Sequence, residues 1–132
     1  VQSNPNIVYV SMHQYPFYPG TGSQMENGDH NNVLNIPMPA GSGSVEYQQK
    51  FDKEVLPFIH KFEPNILLIS AGFDAHRNDP LASINLEAED FAYMTNKLMK
   101  IKKSLLFGME GGYDITALED CTIAVTEQLI NV

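Results

Sequence analysis

Apolar positions along the chain alternate between two periods. Ile7–Met12 (IVYVSM) is a β-branched, apolar run that predicts a buried strand. Val33–Pro39 (VLNIPMP) is a short extended segment closed by prolines. Behind Ser44, a suitable N-cap, Tyr47, Phe51, Val55, Ile59 and Phe62 recur at helical spacing and predict an amphipathic helix. Pro57 should kink that helix or break its hydrogen bonding locally. Asn65–Ala71 predicts a further strand, Phe91, Met94, Leu98 and Ile101 a second helix, and Leu105–Met109 a last strand. Asp114 can cap a third helix with Ile115, Leu118, Val125 and Leu129 on its inner face.

Strands alternating with amphipathic helices indicate an α/β fold, a parallel sheet with flanking helices. The segment His13–Asn32 is expected to be a long loop: YPFYPGTG concentrates chain breakers and should be ordered, whereas MENGDHNN should be mobile. Neither half reads as a linker, and 132 residues suit one domain.

Composition narrows the function classes. With 43% hydrophobic residues the chain can bury a core, and its longest apolar stretches are strand-length, too short to span a membrane. A net charge of −8 argues against direct nucleic-acid binding and favours encounter with cationic substrates such as lysine-rich tails or polyamines. The single Cys121 excludes an intramolecular disulfide and a cysteine-based zinc cluster. No leader pattern opens the sequence, so an intracellular location, cytoplasmic or nuclear, is expected rather than secretion.

Open parallel sheets bind ligands beyond the carboxyl ends of their strands. Three strands deliver polar groups there: Ser11 and His13 after the first, Asp74 and His76 after the third, Glu110 and Tyr113 after the last. Asp74 and His76 form an Asp-x-His triplet of good divalent-metal ligands, but the spacing is common. Arg77 and Asp79 suit a solvated ion pair, and His76 a cap. In EGGYD, Gly111 and Gly112 permit close backbone approach to a bound group, and the Tyr113 phenol can donate to a developing oxyanion; a tight turn with a packed tyrosine suits the same residues. Phe17 and Tyr18 suit a narrow pocket or the core. Phosphate-loop and dinucleotide patterns are lacking, and Ser23 and Ser70 have no evident histidine partner.

VYVSMHQYPFYPGTG, LNIPMPAGSG, ISAGFDAHRNDPL and EGGYD, in this order, span nearly the whole chain. Together they resemble the C-terminal half of the histone deacetylase catalytic domain, closest to class II and bacterial deacetylase-like members. The resemblance implies residues 1–132 of a single arginase/deacetylase-type domain, with zinc at the strand carboxyl ends. It implies Asp74 as a zinc ligand, Tyr113 as the residue polarising the amide carbonyl, and Tyr18 and Leu81 as walls of the acyl-lysine channel near Gly111 and Gly112. Ser11, through its side chain, and Met12, through its carbonyl, correspond to ligands of a structural potassium. His13 and His76 correspond to positions that are not zinc ligands. The family's other zinc ligands, an Asp-x-His, and its tandem histidine base would lie upstream of VYVSMH. The expected activity is zinc-dependent hydrolysis of acetyl-lysine in proteins or of a small acetamide, with this chain alone inactive. The alternatives are a non-catalytic remnant serving as a binding or scaffold module, and an acetylpolyamine-type amidohydrolase.

Overall fold

A computed structural model describes residues 1–102 and 104–130. The elements run β1 (Tyr9–Gln14), β2 (Val33–Met38), α1 (Ser44–Lys50), a π-helical stretch Phe51–Val55, α2 (Leu56–Phe62), β3 (Leu67–Ala71), α3 (Ala88–Ile101), β4 (Leu105–Met109) and α4 (Ile115–Ile130). The order agrees with the periodicities, and the strands are parallel. They do not form one sheet among the described residues: β1 pairs with β2 and β3 with β4, as two separate two-stranded ribbons.

The core lies among the helices. Tyr47, Phe51, Val55 and Ile59 are buried as their spacing predicts, and they meet Ile36 and Met38 of β2, Phe91 of α3, and Cys121 and Val125 of α4. Pro57 acts by a definite route: proline cannot donate a backbone hydrogen bond and its ring crowds the carbonyl one turn earlier. The helix widens into the π stretch just ahead of it, where Leu56 N–H reaches back five residues to the Phe51 carbonyl. The helix therefore continues through Pro57 without a break.

Several expectations shift. The first strand begins at Tyr9 and is not buried: Ile7 and Tyr9 are 44% and 48% exposed. Gly43, not Ser44, is the N-cap of α1; the Gly43 N–H donates to Glu46 Oε2 at 3.0 Å, while the Ser44 hydroxyl donates to Asp90. Val125 is buried and Leu118 and Leu129 pack against the core as their spacing predicts, but Ile115 faces solvent, and Ala117 and Cys121 complete the inner face of α4. Asp114 does cap α4, its Oδ1 accepting from Ala117 N–H at 2.8 Å. The MENGDHNN stretch is tied down: Glu26 accepts from the N–H groups of Gly22 and Ser23, and the buried Asn35 amide donates to the Ser23 and Glu26 carbonyls. The Asn32 amide holds the carbonyls of Val1, Asn4 and Ile7.

One buried carboxylate joins the helical layer. Asp90, in the first turn of α3, accepts from Ser44 Oγ at 2.6 Å, Gln48 Nε2 at 2.8 Å and Glu87 N–H at 3.0 Å. Removing a partner from a buried network costs the desolvation of whatever is left unpaired. Asp90→Ala is expected to destabilise the folded chain by about 1–3 kcal/mol, seen as a lower urea midpoint at unchanged slope. Ser44→Ala, which leaves Asp90 two donors, should lower the midpoint less.

Candidate active site at the carboxyl ends of β3 and β4

Parallel pairing places the ends of β3 and β4 side by side, with Leu67 opposite Leu105 and Ala71 opposite Met109. The contact continues past the strands: Glu110 N–H donates to the Ala71 carbonyl at 3.0 Å and Phe73 N–H to the Gly111 carbonyl at 2.8 Å. Asp74 and Gly111 are thereby pressed together, and Tyr113 follows two residues on.

Asp74 sits in a notch made of glycine. A Cβ on Gly111 would lie 2.5 Å from Asp74 Oδ2, and one on Gly72 would lie 3.2 Å from Oδ1. The first distance is closer than any side chain tolerates, so the glycine of EGGYD admits the carboxylate itself. Among the described residues no cation pairs with Asp74 and no other side chain donates to it. Burial first, and the nearby Asp79 charge second, raise its pKa above the ordinary aspartate value. The buried Tyr47 phenol lines the same cleft, and its ionisation is pushed far up by burial and then by Asp74. Nothing in the helical spacing that revealed Tyr47 as core distinguishes it as a neighbour of the site.

A half-buried anion without a cationic partner suits a metal ligand. It is one ligand, and no group of three His, Cys, Asp or Glu among the described residues is placed to hold a metal. The Asp-x-His triplet is split: His76 is buried, accepts from Asn78 N–H at Nδ1, and turns Nε2 toward Glu87, 3.6 Å away. Arg77 and Asp79 are not partners. Arg77 pairs with Glu87 at 2.8 Å, and Asp79 is buried, accepting backbone N–H groups from Leu81, Ala82 and Tyr113. The sequence signal that separated them was available in Asp79-Pro80, an Asx-turn pattern.

Ser11 lies within β1 rather than beyond its end, with Met12 beside it. The Gly22 carbonyl can only accept, so His13 Nε2 carries a proton toward it at 3.0 Å. In a neutral ring Nδ1 then accepts from the Ser11 hydroxyl at 2.8 Å, leaving the Ser11 oxygen lone pairs free. Tyr18 is 90% exposed and Leu81 60%, so both are surface apolar groups and Tyr18 is not core. Tyr113 projects from the strand end and is 57% exposed. The Ser70 hydroxyl donates to Glu110 at 3.1 Å. Cys121 is buried, and desolvation pushes its thiol up to about 12, so it supplies no nucleophile at neutral pH.

The cleft beside Asp74 and Tyr47 continues between the two ribbons. It encloses about 620 Å³ and is lined by every residue from Asn6 to Met12 and from Ile66 to Ala75. Consecutive lining residues mean that strand edges, not faces, border it, since alternate side chains point to opposite faces. The open edges of β1 and β3 thus face one another, with Asp74 at the carboxyl end. One face of the β3–β4 ribbon is bare as well: Leu68 is 71% and Leu106 61% exposed.

Parallel strands with helices against them, and a carboxylate left without a cationic partner at the carboxyl ends of one pair, define an α/β domain. Residues 1–129 match the histone deacetylase domain, and the chain belongs to the histone deacetylase family. It is 46% identical over 131 residues to the uncharacterized protein slr0245 of Synechocystis, covering 98% of this chain and 43% of that protein. The crystal structure of the HDA15 HD domain superposes with a TM-score of 0.94 at 33% identity, over 98% of this chain and 39% of that one. An acetylpolyamine aminohydrolase from Burkholderia pseudomallei superposes at 0.90 and 28% identity, over 97% and 39%. These neighbours have the arginase/deacetylase fold, and the chain spans less than half of each of these proteins.

The raised pKa of Asp74 has a definite sign. A carboxyl group harder to ionise when folded adds nothing unfavourable below the unfolded value of about 3.8, and stability falls as pH rises through the folded value. Asp74→Asn should therefore stabilise the metal-free chain at neutral pH, with the gain over wild type vanishing below that value. Urea unfolding of both proteins at each pH measures it.

Proposed function

We propose that this chain supplies one side of a zinc-dependent deacetylase site that hydrolyses the amide of acetyl-lysine or a related acetamide. The pairing that presses Asp74 against Gly111, two residues ahead of Tyr113, is the observation that carries this reading. Asp74 would hold the metal, and its glycine notch and lack of a cationic partner fit that task. Zinc, when bound, supplies Lewis-acid polarisation of the amide carbonyl and an acidified water. The Tyr113 hydroxyl donates a hydrogen bond to the carbonyl oxygen as it gains charge, and its partly exposed position leaves it within reach of a substrate. Tyr18 and Leu81 offer apolar surface to the acyl-lysine stem. Ser11, with its lone pairs left free by His13, and the Met12 carbonyl suit a structural potassium.

The other zinc ligands and the general base are assigned to the remainder of the domain, outside the described residues. The cleft between β1 and β3 is where that remainder would enter as a parallel strand bonded to both edges, joining the ribbons into one sheet. Two substrate classes remain chemically close. The net charge of −8 suits cationic lysine-rich tails and polyamines alike, and the likeness to an acetylpolyamine aminohydrolase keeps the small substrate as the second reading.

In a complete protein carrying this sequence, Tyr113→Phe is expected to lower kcat on the order of a hundredfold with zinc content unchanged, while Asp74→Asn loses zinc and activity together. Full turnover by Tyr113→Phe on both an acetyl-lysine peptide and an N-acetylated polyamine would remove Tyr113 from the mechanism. Comparing kcat/KM for those two substrates assigns the class. The 132-residue chain alone is expected to hold no zinc after dialysis and to show no turnover, as a binding module would; co-expression with the rest of the domain should restore both. Stoichiometric zinc in the isolated chain would contradict the assignment of ligands.

A further inference from the structure

Tyr113 has little to hold it. Its side chain is 57% exposed, and it follows Gly111 and Gly112, the latter at φ 136°. The Phe73 N–H holds the chain at the Gly111 carbonyl, but Gly112 adds the backbone freedom of glycine immediately ahead of the tyrosine, and an exposed ring has few neighbours to fix its direction. Downstream, the chain is secured only from Asp114, whose carboxylate and carbonyl accept from Ala117 and Leu118 N–H groups. On the Tyr113 backbone itself, Asp79 Oδ2 accepts the N–H at 2.9 Å, across 34 residues of sequence.

Asp79 is built for this contact. It is 8% exposed and, among the described residues, has no cationic partner. Its other oxygen, Oδ1, accepts from Leu81 N–H at 2.9 Å and Ala82 N–H at 3.1 Å, closing its own turn. One carboxylate thus locks the loop after β3 to the loop after β4, by a separate oxygen for each. Burial keeps water from competing for either oxygen.

We propose that Asp79 is the positioning residue for Tyr113, fixing where the phenol stands relative to Asp74 through the Tyr113 N–H. The inference rests on the reading of Tyr113 as the hydrogen-bond donor to the substrate carbonyl. It assigns Asp79 no contact with substrate or metal.

Asp79→Asn is the discriminating change in a complete protein carrying this sequence. An amide has one accepting oxygen. Keeping the Leu81 and Ala82 bonds turns the NH2 group onto the Tyr113 N–H, donor against donor. The turn survives and the tyrosine is displaced. A misplacement of about 1 Å costs on the order of a hundredfold in rate, so kcat is expected to fall roughly ten- to a hundredfold. KM and zinc content should stay near wild type. In the Tyr113→Phe background, where no hydroxyl remains to be placed, Asp79→Asn should cost less than about threefold more. Wild-type kcat in Asp79→Asn, an equal loss in both backgrounds, or loss of zinc would each overturn the proposal. Should Asp79→Asn not fold, Asp79→Glu keeps the charge while moving both oxygens, and the same cycle with Tyr113→Phe decides. If Tyr113→Phe itself keeps full turnover, the donor role fails first; if Tyr113→Phe is impaired and Asp79→Asn is not, only the positioning role fails.

Discussion

The parallel register of β3 and β4 sets Ala71 opposite Met109 and carries both strands to the same end of the ribbon. Everything at the site follows from that alignment. Two backbone hydrogen bonds beyond the strands bring Gly111 against Asp74, and the Asp79 carboxylate, accepting from the Tyr113 N–H, joins the two loops. A slip of one residue would send Asp74 or Tyr113 toward the wrong surface, since side chains alternate with a period of two. Glycine at 111 is demanded by the same alignment, because any Cβ there would overlap the carboxylate.

Three buried or half-buried aspartates show how environment separates structural from chemical roles. Asp90 is nearly inaccessible and receives three donors, so its charge is compensated within the helical layer. Asp79 receives three backbone N–H groups and ties loops together. Asp74 has neither a cation nor a side-chain donor among the described residues, and its ionisation is correspondingly harder. A carboxylate left under-compensated is costly for folding and useful for binding a cation.

The two ribbons show the same contrast on a larger scale. Parallel sheets are ordinarily covered on both faces and paired along their strands. Here β1 and β3 present open edges to a shared cleft, and Leu68 and Leu106 stand exposed on one face of the β3–β4 ribbon. The HDA15 HD domain superposes on this segment at a TM-score of 0.94, with this chain amounting to 39% of it. The segment therefore keeps the family's geometry while leaving apolar edges and faces unpartnered.

Much was legible in the sequence for local reasons. Helical spacing identified Tyr47, Phe51, Val55 and Ile59 as core, and breakers marked the loops, because burial stripes and turn chemistry are properties of neighbouring residues. Pro57 announced a disturbance, although only the helix itself showed that a π turn absorbs it. The four ordered motifs carried the family. Contacts between distant residues were a different matter. That Arg77 pairs with Glu87 while Asp79 turns inward to Tyr113, that Ser44 serves Asp90 rather than capping α1, and that Ile115 faces water all depend on where segments ten to almost fifty residues apart, or whole helix faces, come to rest. Sequence alone determined the elements, their parallel order and the residue types at the strand ends. Only tertiary structure decided which carboxylates are satisfied and which is left open, because hydrogen-bond partners and desolvation are set by packing rather than by spacing along the chain.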